Sequence, residues 1–236
     1  MKKNSVQEIL RKCFLVYQPI MRLRNYKKNE IYNYEVLLRI DGGEKFPKEE
    51  FALLSESDEI NKLYLEWLFE NLRKRIQCNP DIIFCVNLSP KQCTYRSTMD
   101  VLKSLHDINQ HIRIEITEHK EVIYDTSQVE AFLNEMKKLN YMTGLDDVEV
   151  GQNTLLFTLK NINKINRLKL SLLPFSSISL NSQLLLVQFW NSIAKENNLE
   201  FVVEGIDTKD KAQVFREIGI ELQQGFFWGE PEIIEN

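Results

Sequence analysis

The sequence predicts an α/β fold in which eight strands, alternating with helices along the chain, close into a barrel. Three observations carry this. Apolar strand patterns alternate with helical patterns along the whole chain, which implies a parallel sheet with helical crossovers. The length of 236 residues suits one α/β barrel. The first strand is not followed by the Gly-rich phosphate turn of an open, doubly wound sheet, the alternative architecture. In a barrel the strand ends converge on one face, the usual place of chemistry.

The elements are legible in order. Ser5 to Lys12 has the composition of a helix, and Phe14 to Tyr17 is an apolar strand that Gln18-Pro19 closes, because proline cannot continue a ladder. Tyr32 to Ile40 is the next strand, and its alternation places Glu35, Leu37 and Arg39 on one face. Pro47 opens a helix over Glu49 to Ser55. Asp58 to Gln77 forms a longer helix with an apolar stripe through Ile60, Leu63, Leu68 and Leu72. Ile82 to Val86 is a strand covered on both faces and ends in Asn87-Leu88-Ser89-Pro90.

A helix over Ser97 to Asn109 precedes a strand over Ile112 to Glu118, in which Glu115 and Thr117 look the same way. Ser127 is the expected cap of a helix reaching Leu139, at capping-box spacing from Glu130. Tyr141 to Asp147 is a strand, Asn153 to Lys160 a helix, and Arg167 to Ser171 a strand with a lysine between leucines. An amine buried there without a partner would be costly. The chain closes with a helix over Asn181 to Asn198, a strand at Phe201 to Val203 ending in Glu204-Gly205, a helix over Thr208 to Ile218 and a strand at Glu221 to Gly225. No internal repeat or linker interrupts this. The expectation is one domain over 1–236, with an N-terminal helix at 1–12 and the barrel at about 13–231.

Composition narrows the function. Hydrophobic residues at 43% and charged residues at 27% describe a globular protein, and 8 glycines leave little room for flexible linkers. The net charge of -4 argues against DNA or RNA binding, which shows clustered excess Lys and Arg. Cys13, Cys78, Cys85 and Cys93 contain no CxxC pair and read as reduced, mostly buried thiols. Met1 to Arg11 lacks the apolar core of a secretory signal, and no apolar run approaches the roughly 20 residues that span a bilayer. A cytoplasmic protein without membrane insertion is expected.

The acid pair Asp146-Asp147 carries the chemistry. Two carboxylates about 4 Å apart at an effective dielectric of about 20 repel by roughly 4 kcal/mol, so the pair calls for a proton or a cation. Alone, it reads either as a metal site or as a solvated turn. The other strand ends favour metal: Glu35, Asn87, Glu115, Lys169, Glu204 and Gln224 would converge with it. Oxygen donors without Cys or His suit Mg²⁺ or Mn²⁺ rather than zinc. Two such ions about 3.5–4 Å apart can bind the attacking and leaving oxygens of a phosphoester displacement. Each residue also has an ordinary reading: Glu35 as an edge charge, Asn87 as a turn former, Glu115 and Glu118 as a solvated face, Lys169 snorkelling to solvent, and Glu204-Gly205 as a plain turn. His106, His111 and His119 lack a spaced His-Asp cluster and read as surface residues.

The ordered set of motifs resembles the EAL-domain cyclic di-GMP phosphodiesterases from Tyr17-Gln18-Pro19-Ile20 to Gln224-Gly225-Phe226-Phe227-Trp228-Gly229-Glu230-Pro231. Glu35-Val36-Leu37 stands at the Glu-Ala-Leu signature, with Arg39 downstream. Asn87-Leu88-Ser89, Glu115-Ile116-Thr117-Glu118, Asp146-Asp147, Lys169 and Glu204-Gly205-Ile206-Asp207 follow in the family's order. The resemblance implies a modified TIM (β/α)8 barrel that hydrolyses cyclic di-GMP to linear pGpG with two Mg²⁺ or Mn²⁺ ions. By position, Glu35, Asn87, Glu115 and Asp146 would bind one metal, and Asp146 with Asp147 the second. Lys169 and Glu204 would hold or activate the water, with Gln224 contacting that centre. Gln18, Leu37 and Arg39 would contact substrate, and Glu118 would steady the loop after Asp147.

This chain departs from the family at three places. Val148-Glu149-Val150-Gly151 replaces Phe-Gly-Thr/Ala-Gly in a loop that in the family links metal binding to homodimer contacts. Lys169-Leu170-Ser171 replaces Lys-Ile-Asp, and His119 stands at a Ser/Thr position. The altered loop motivates a second expectation, a weak or inactive module that binds cyclic di-GMP or a protein partner. No cyclase or sensory domain is expected within these residues, so regulation would come from elsewhere.

Overall fold

Eight strands close into a barrel in chain order. The computed structural model describes residues 2–24, 29–118 and 125–234. The chain begins with α1 (Lys2–Lys12), followed by the long strands β1 (Cys13–Arg22) and β2 (Glu30–Ile40). Two helices, α2 (Lys48–Leu54) and α3 (Asp58–Cys78), lead to β3 (Ile83–Leu88), and α4 (Pro90–Cys93) and α5 (Arg96–Ser104) lead to β4 (Ile112–Ile116). Single helices then alternate with strands: α6 (Thr126–Lys138), β5 (Met142–Leu145), α7 (Leu155–Asn161), β6 (Arg167–Ser171), α8 (Leu180–Glu196), β7 (Glu200–Glu204), α9 (Lys209–Glu217) and β8 (Leu222–Gln224).

The barrel departs from the all-parallel sheet at one strand. β1 runs antiparallel to both neighbours, β2 and β8, whereas every pair from β2/β3 round to β7/β8 is parallel. β1 also continues through Pro19 to Arg22, so proline does not end the ladder. Tyr17 exchanges both backbone hydrogen bonds with Glu232, on the side away from β2. By alternation the nitrogen of Pro19 points to that same side, between the Glu232 bridge and the β8 ladder that starts at Ile20. The N–H that proline lacks has no ladder partner to lose there.

Helix ends follow local chemistry. Ser57 accepts from the Ile60 N–H and Asp58 and Glu59 fill the first turn, so α3 starts on its own signals and buries Leu65, Leu68, Leu72 and Ile76 against the sheet. α5 stops at Ser104 rather than near Asn109, because the next apolar side chains, Leu105 and Ile108, turn into the core. Asp125, not Ser127, caps α6: its carboxylate accepts from the Ser127 N–H at 2.9 Å, and a charged acceptor suits the positive helix end better than a hydroxyl. The thiols are free, but only Cys85 and Cys93 are buried; Cys13 is intermediate and Cys78 exposed.

The main core lies between barrel and helices, where Phe84, Val86, Ile114, Leu168 and Val203 meet Leu65, Leu102, Leu133, Trp190 and Phe215. A smaller cluster of Ile20, Cys85, Val202 and Leu222 packs separately. The alternation that sends one set of side chains to the helices sends the other inward. Those inward positions hold nearly all the buried charge.

Candidate active site

Lys169 organises the site. It is 0% exposed, and its Nζ lies 2.5 Å from Glu204 Oε1, 3.0 Å from Glu115 Oε2, 3.2 Å from Asp146 Oδ1 and 3.3 Å from Glu35 Oε2. Strands β2, β4, β6 and β7 and the end of β5 therefore aim their side chains at one point. Glu115 is likewise 0% exposed, which rules out a solvated strand face, and Lys169 does not snorkel.

The amide side chains form the next ring. Asn87 Nδ2 donates to Glu35 Oε1 at 2.6 Å, and Gln224 Nε2 donates to Glu35 Oε2 at 2.5 Å and to Gln18 Oε1 at 3.1 Å. Gln18 in turn donates to the Gly229 carbonyl at 3.1 Å. Leu37 and Arg39 continue the Glu35 face toward the end of β2, half-buried, with Arg39 donating to the Leu38 carbonyl at 2.9 Å. Glu118 lies two residues past β4 and is half-buried. His106 is exposed and His111 half-buried, while His119 falls outside the described residues.

The loop after β5 is held more tightly than its sequence suggests. Asp147 and Glu149 adopt positive φ, 47° and 68°. The Val148 N–H donates to the Lys169 carbonyl at 3.0 Å and the Glu149 N–H to the Asn153 carbonyl at 2.9 Å. The buried Asn153 amide donates to the carbonyls of Asp146 at 2.6 Å and Ile116 at 3.2 Å, bracing the ends of β4 and β5. Asn153 was missed by sequence reasoning. A polar residue just before the Thr154 helix cap is an ordinary loop feature, and nothing in the sequence shows its burial.

The electrostatics follow from acid excess. Burial disfavours charge on Lys169, but Asp146, Glu115, Glu204 and Glu35 outweigh it and push the ammonium pKa well above its ordinary value. Burial pushes Asp146 well above the ordinary carboxyl range; Lys169 opposes this, and Glu204, Glu35 and Glu115 add to it. Glu204 is raised to about 7, first by burial, with Lys169 opposing and Glu35 and Asp147 adding. Glu115 is lowered instead: burial opposes its ionisation, but Lys169 and Arg167 overcome it. Both members of the Lys169–Asp146 pair shift upward because one ammonium cannot neutralise every acid around it.

That surplus is what a divalent cation neutralises. Asp146, Asp147 and Glu204 each offer an oxygen within 4.8 Å of the others. The Asn87 Oδ1 and Gln224 Oε1 oxygens are buried and accept no hydrogen bond among the described residues. Hard oxygen donors, an unneutralised charge and orphaned acceptors together fit a hard divalent ion.

These features define a class of protein first: an acid-lined eight-stranded barrel whose strand ends build a site compatible with divalent metal. The match is then specific, because the family model described as the EAL domain covers residues 4–231, and the chain belongs to the EAL domain family. It is 25% identical over 236 residues to the cyclic di-GMP phosphodiesterase PdeA of Borreliella burgdorferi, covering 93% of this chain and 34% of that protein. It is 23% identical over 235 residues to a protein of Escherichia coli K12 named probable cyclic di-GMP phosphodiesterase PdeA, covering 92% of this chain and 30% of that protein. The chain thus spans about a third of the length of these curated relatives. Among solved structures, the PaMucR phosphodiesterase in complex with c-di-GMP superposes with a TM-score of 0.78 at 20% identity, covering 98% of this chain and 97% of that one. At that identity the likeness supports the fold.

Proposed function

We propose that this chain is a phosphodiesterase that hydrolyses cyclic di-GMP to linear pGpG with two divalent ions, Mg²⁺ or Mn²⁺. The single observation that carries the reading is the convergence of Glu35, Glu115, Asp146 and Glu204 on the buried Lys169, with Asp147 beside them. Glu35, Asn87, Glu115 and Asp146 would hold one ion, and Asp146 with Asp147 the other. When bound, the ions supply Lewis-acid stabilisation of charge on the phosphoryl oxygens. Gln18, Leu37, Arg39 and Gln224 would bind the dinucleotide, with Gln224 also donating to Gln18 and to the Glu35 carboxylate. Glu118 would support the loop after Asp147.

Water attacks phosphorus and the P–O3′ bond breaks, leaving the phosphate on the 5′ oxygen as in pGpG. Glu204, at the centre beside Lys169 and Asp147, is suited by position to accept the proton of the attacking water. Lys169 orients that water and balances the developing negative charge. The leaving 3′ oxygen is protonated from solvent.

The reading extends to 1–236 as one domain, with an N-terminal helix at 1–12 and the barrel at about 13–231, acting in the cytoplasm. Among the described residues no helix is long and apolar enough to cross a membrane. A homodimer is the proposed assembly. Leu156 at 79% exposure on α7, Leu173 at 71% after β6, and Leu185 and Phe189 on α8 are exposed apolar side chains on elements consecutive in the chain, and they support this reading. The second reading, a module that binds cyclic di-GMP or a protein without turnover, draws on the loop where Glu149 holds φ 68° in place of the family glycine.

Glu35→Ala separates the two. The enzyme reading expects turnover to fall at least about a hundredfold with an unchanged far-UV circular dichroism spectrum, in line with loss of a group that binds the reacting centre. Hydrolysis at the parent rate would remove the assignment. Binding of cyclic di-GMP without turnover in the parent protein would favour the module.

A further inference from the structure

Directly beneath the carboxylates lies a second buried charged layer that the proposed chemistry does not use. Arg167 is 0% exposed. Its Nη1 donates to Glu115 Oε1 at 3.1 Å, its Nε and Nη2 donate to Glu200 Oε2 at 3.0 and 2.7 Å, and Nη2 also donates to Asn33 Oδ1. Glu200 is held from its other sides by Arg113 Nη1 at 2.8 Å and by the Tyr32 hydroxyl, which donates to Oε1. Glu200 thereby fixes the plane of the Arg167 guanidinium, and that plane meets Glu115.

Sheet register makes the contact possible. Glu115, Gly144 and Arg167 stand side by side on β4, β5 and β6. Gly144 presents no side chain between them. A Cβ there would lie 3.3 Å from Arg167 Cβ and 3.6 Å from Glu115 Cγ. The guanidinium crosses the middle strand above this glycine.

A buried ion network is poor evidence of a purely stabilising role, because apolar residues of similar size avoid the desolvation cost. The division of the Glu115 carboxylate is more informative. Oε1 is engaged by Arg167 from below, while Oε2 faces the centre, 3.0 Å from Lys169 Nζ.

We propose that Arg167 is a positioning residue for the metal centre: by engaging Glu115 Oε1 from beneath, it fixes the carboxylate with Oε2 directed at the ion, and Glu200 fixes Arg167. The inference rests on the assignment of Glu115 as a metal ligand above. Outer partners of metal ligands typically carry about 10–100-fold of metal affinity. Lysine cannot replace the guanidinium, because one ammonium lacks the fork that reaches Glu115 and Glu200 together.

The test is titration of the purified, chelator-stripped chain with Mn²⁺ alone, by calorimetry, for the parent, Arg167→Lys and Glu200→Gln. The expected result is that Arg167→Lys weakens Mn²⁺ binding about tenfold or more with its circular dichroism spectrum retained, and that Glu200→Gln weakens it by less. A purely structural role would lower the melting temperature of the metal-free variants and leave Mn²⁺ affinity within about twofold of the parent, which would overturn the proposal. If Arg167→Lys does not fold, an unchanged Mn²⁺ affinity in Glu200→Gln overturns it equally. Absence of Mn²⁺ binding by the parent would remove the metal reading and this inference together. Parent binding with unchanged variants removes only the inference.

Discussion

At the scale of single residues, the site is built against stability. Glu204 and Asp146 carry pKa values raised by burial among like charges, so in the metal-free protein their ionisation costs folding free energy. The sign follows from linkage. The folded-state pKa of Glu204, about 7, lies above its unfolded value near 4.5, so the fold gains by holding that proton at low pH and loses the gain as pH rises through about 7. Glu204→Gln should therefore raise the melting temperature of chelator-treated protein at pH 8, by roughly 2–4 °C per kcal/mol relieved, while abolishing turnover. A lower melting temperature at pH 8 would show that the Lys169–Glu204 contact outweighs the repulsion. Much of this residue-level site was legible: a lysine between leucines demanded partners, and the strand-end acids supplied them. Arg167, Arg113 and Glu200 were not singled out, although alternation already put Arg167 beside Lys169 and Arg113 beside Glu115 on shared faces. Their meaning needed the register across Gly144, which sequence alone does not fix.

At the scale of elements, the loop from β5 to α7 combines buried and strained positions. Val148 is buried in the main core and Val150 is also buried, so both valines at this departure from the family pattern are held away from solvent. Glu149 is exposed at φ 68°, a conformation that costs an L-residue about 1–2 kcal/mol and glycine almost nothing. Part of that gain is offset by the greater unfolded-state entropy of glycine, so Glu149→Gly should stabilise by up to about 1 kcal/mol. Thermal denaturation of the two proteins checks this, and an unchanged or lower melting temperature would mean that the Glu149 side chain contributes more than its backbone costs. Helix and strand existence was readable from periodicity, whereas ends depended on contacts out of sequence reach. Pro19 sits inside β1 because Glu232 and β8 leave a gap on one side, and Asp125 caps α6 two residues before the expected Ser127.

At the scale of the whole molecule, the closed sheet does what an open one could not. It brings side chains from β2, β4, β7 and the end of β5 within 3.3 Å of a single amine on β6, although Glu35 and Glu204 lie far apart in the sequence. The alternation of strands and helices predicted this closure, while the reversed first strand was hidden because an apolar strand reads the same in either direction. The central claim is metal-dependent hydrolysis of cyclic di-GMP at that closure. It is tested most directly by incubating the purified chain with cyclic di-GMP in Mg²⁺, in Mn²⁺ and in excess chelator, then separating the nucleotides by chromatography. The expected result is pGpG with either ion and none with chelator. Intact cyclic di-GMP in every condition, from protein shown to be folded and alongside an active control enzyme, would contradict it.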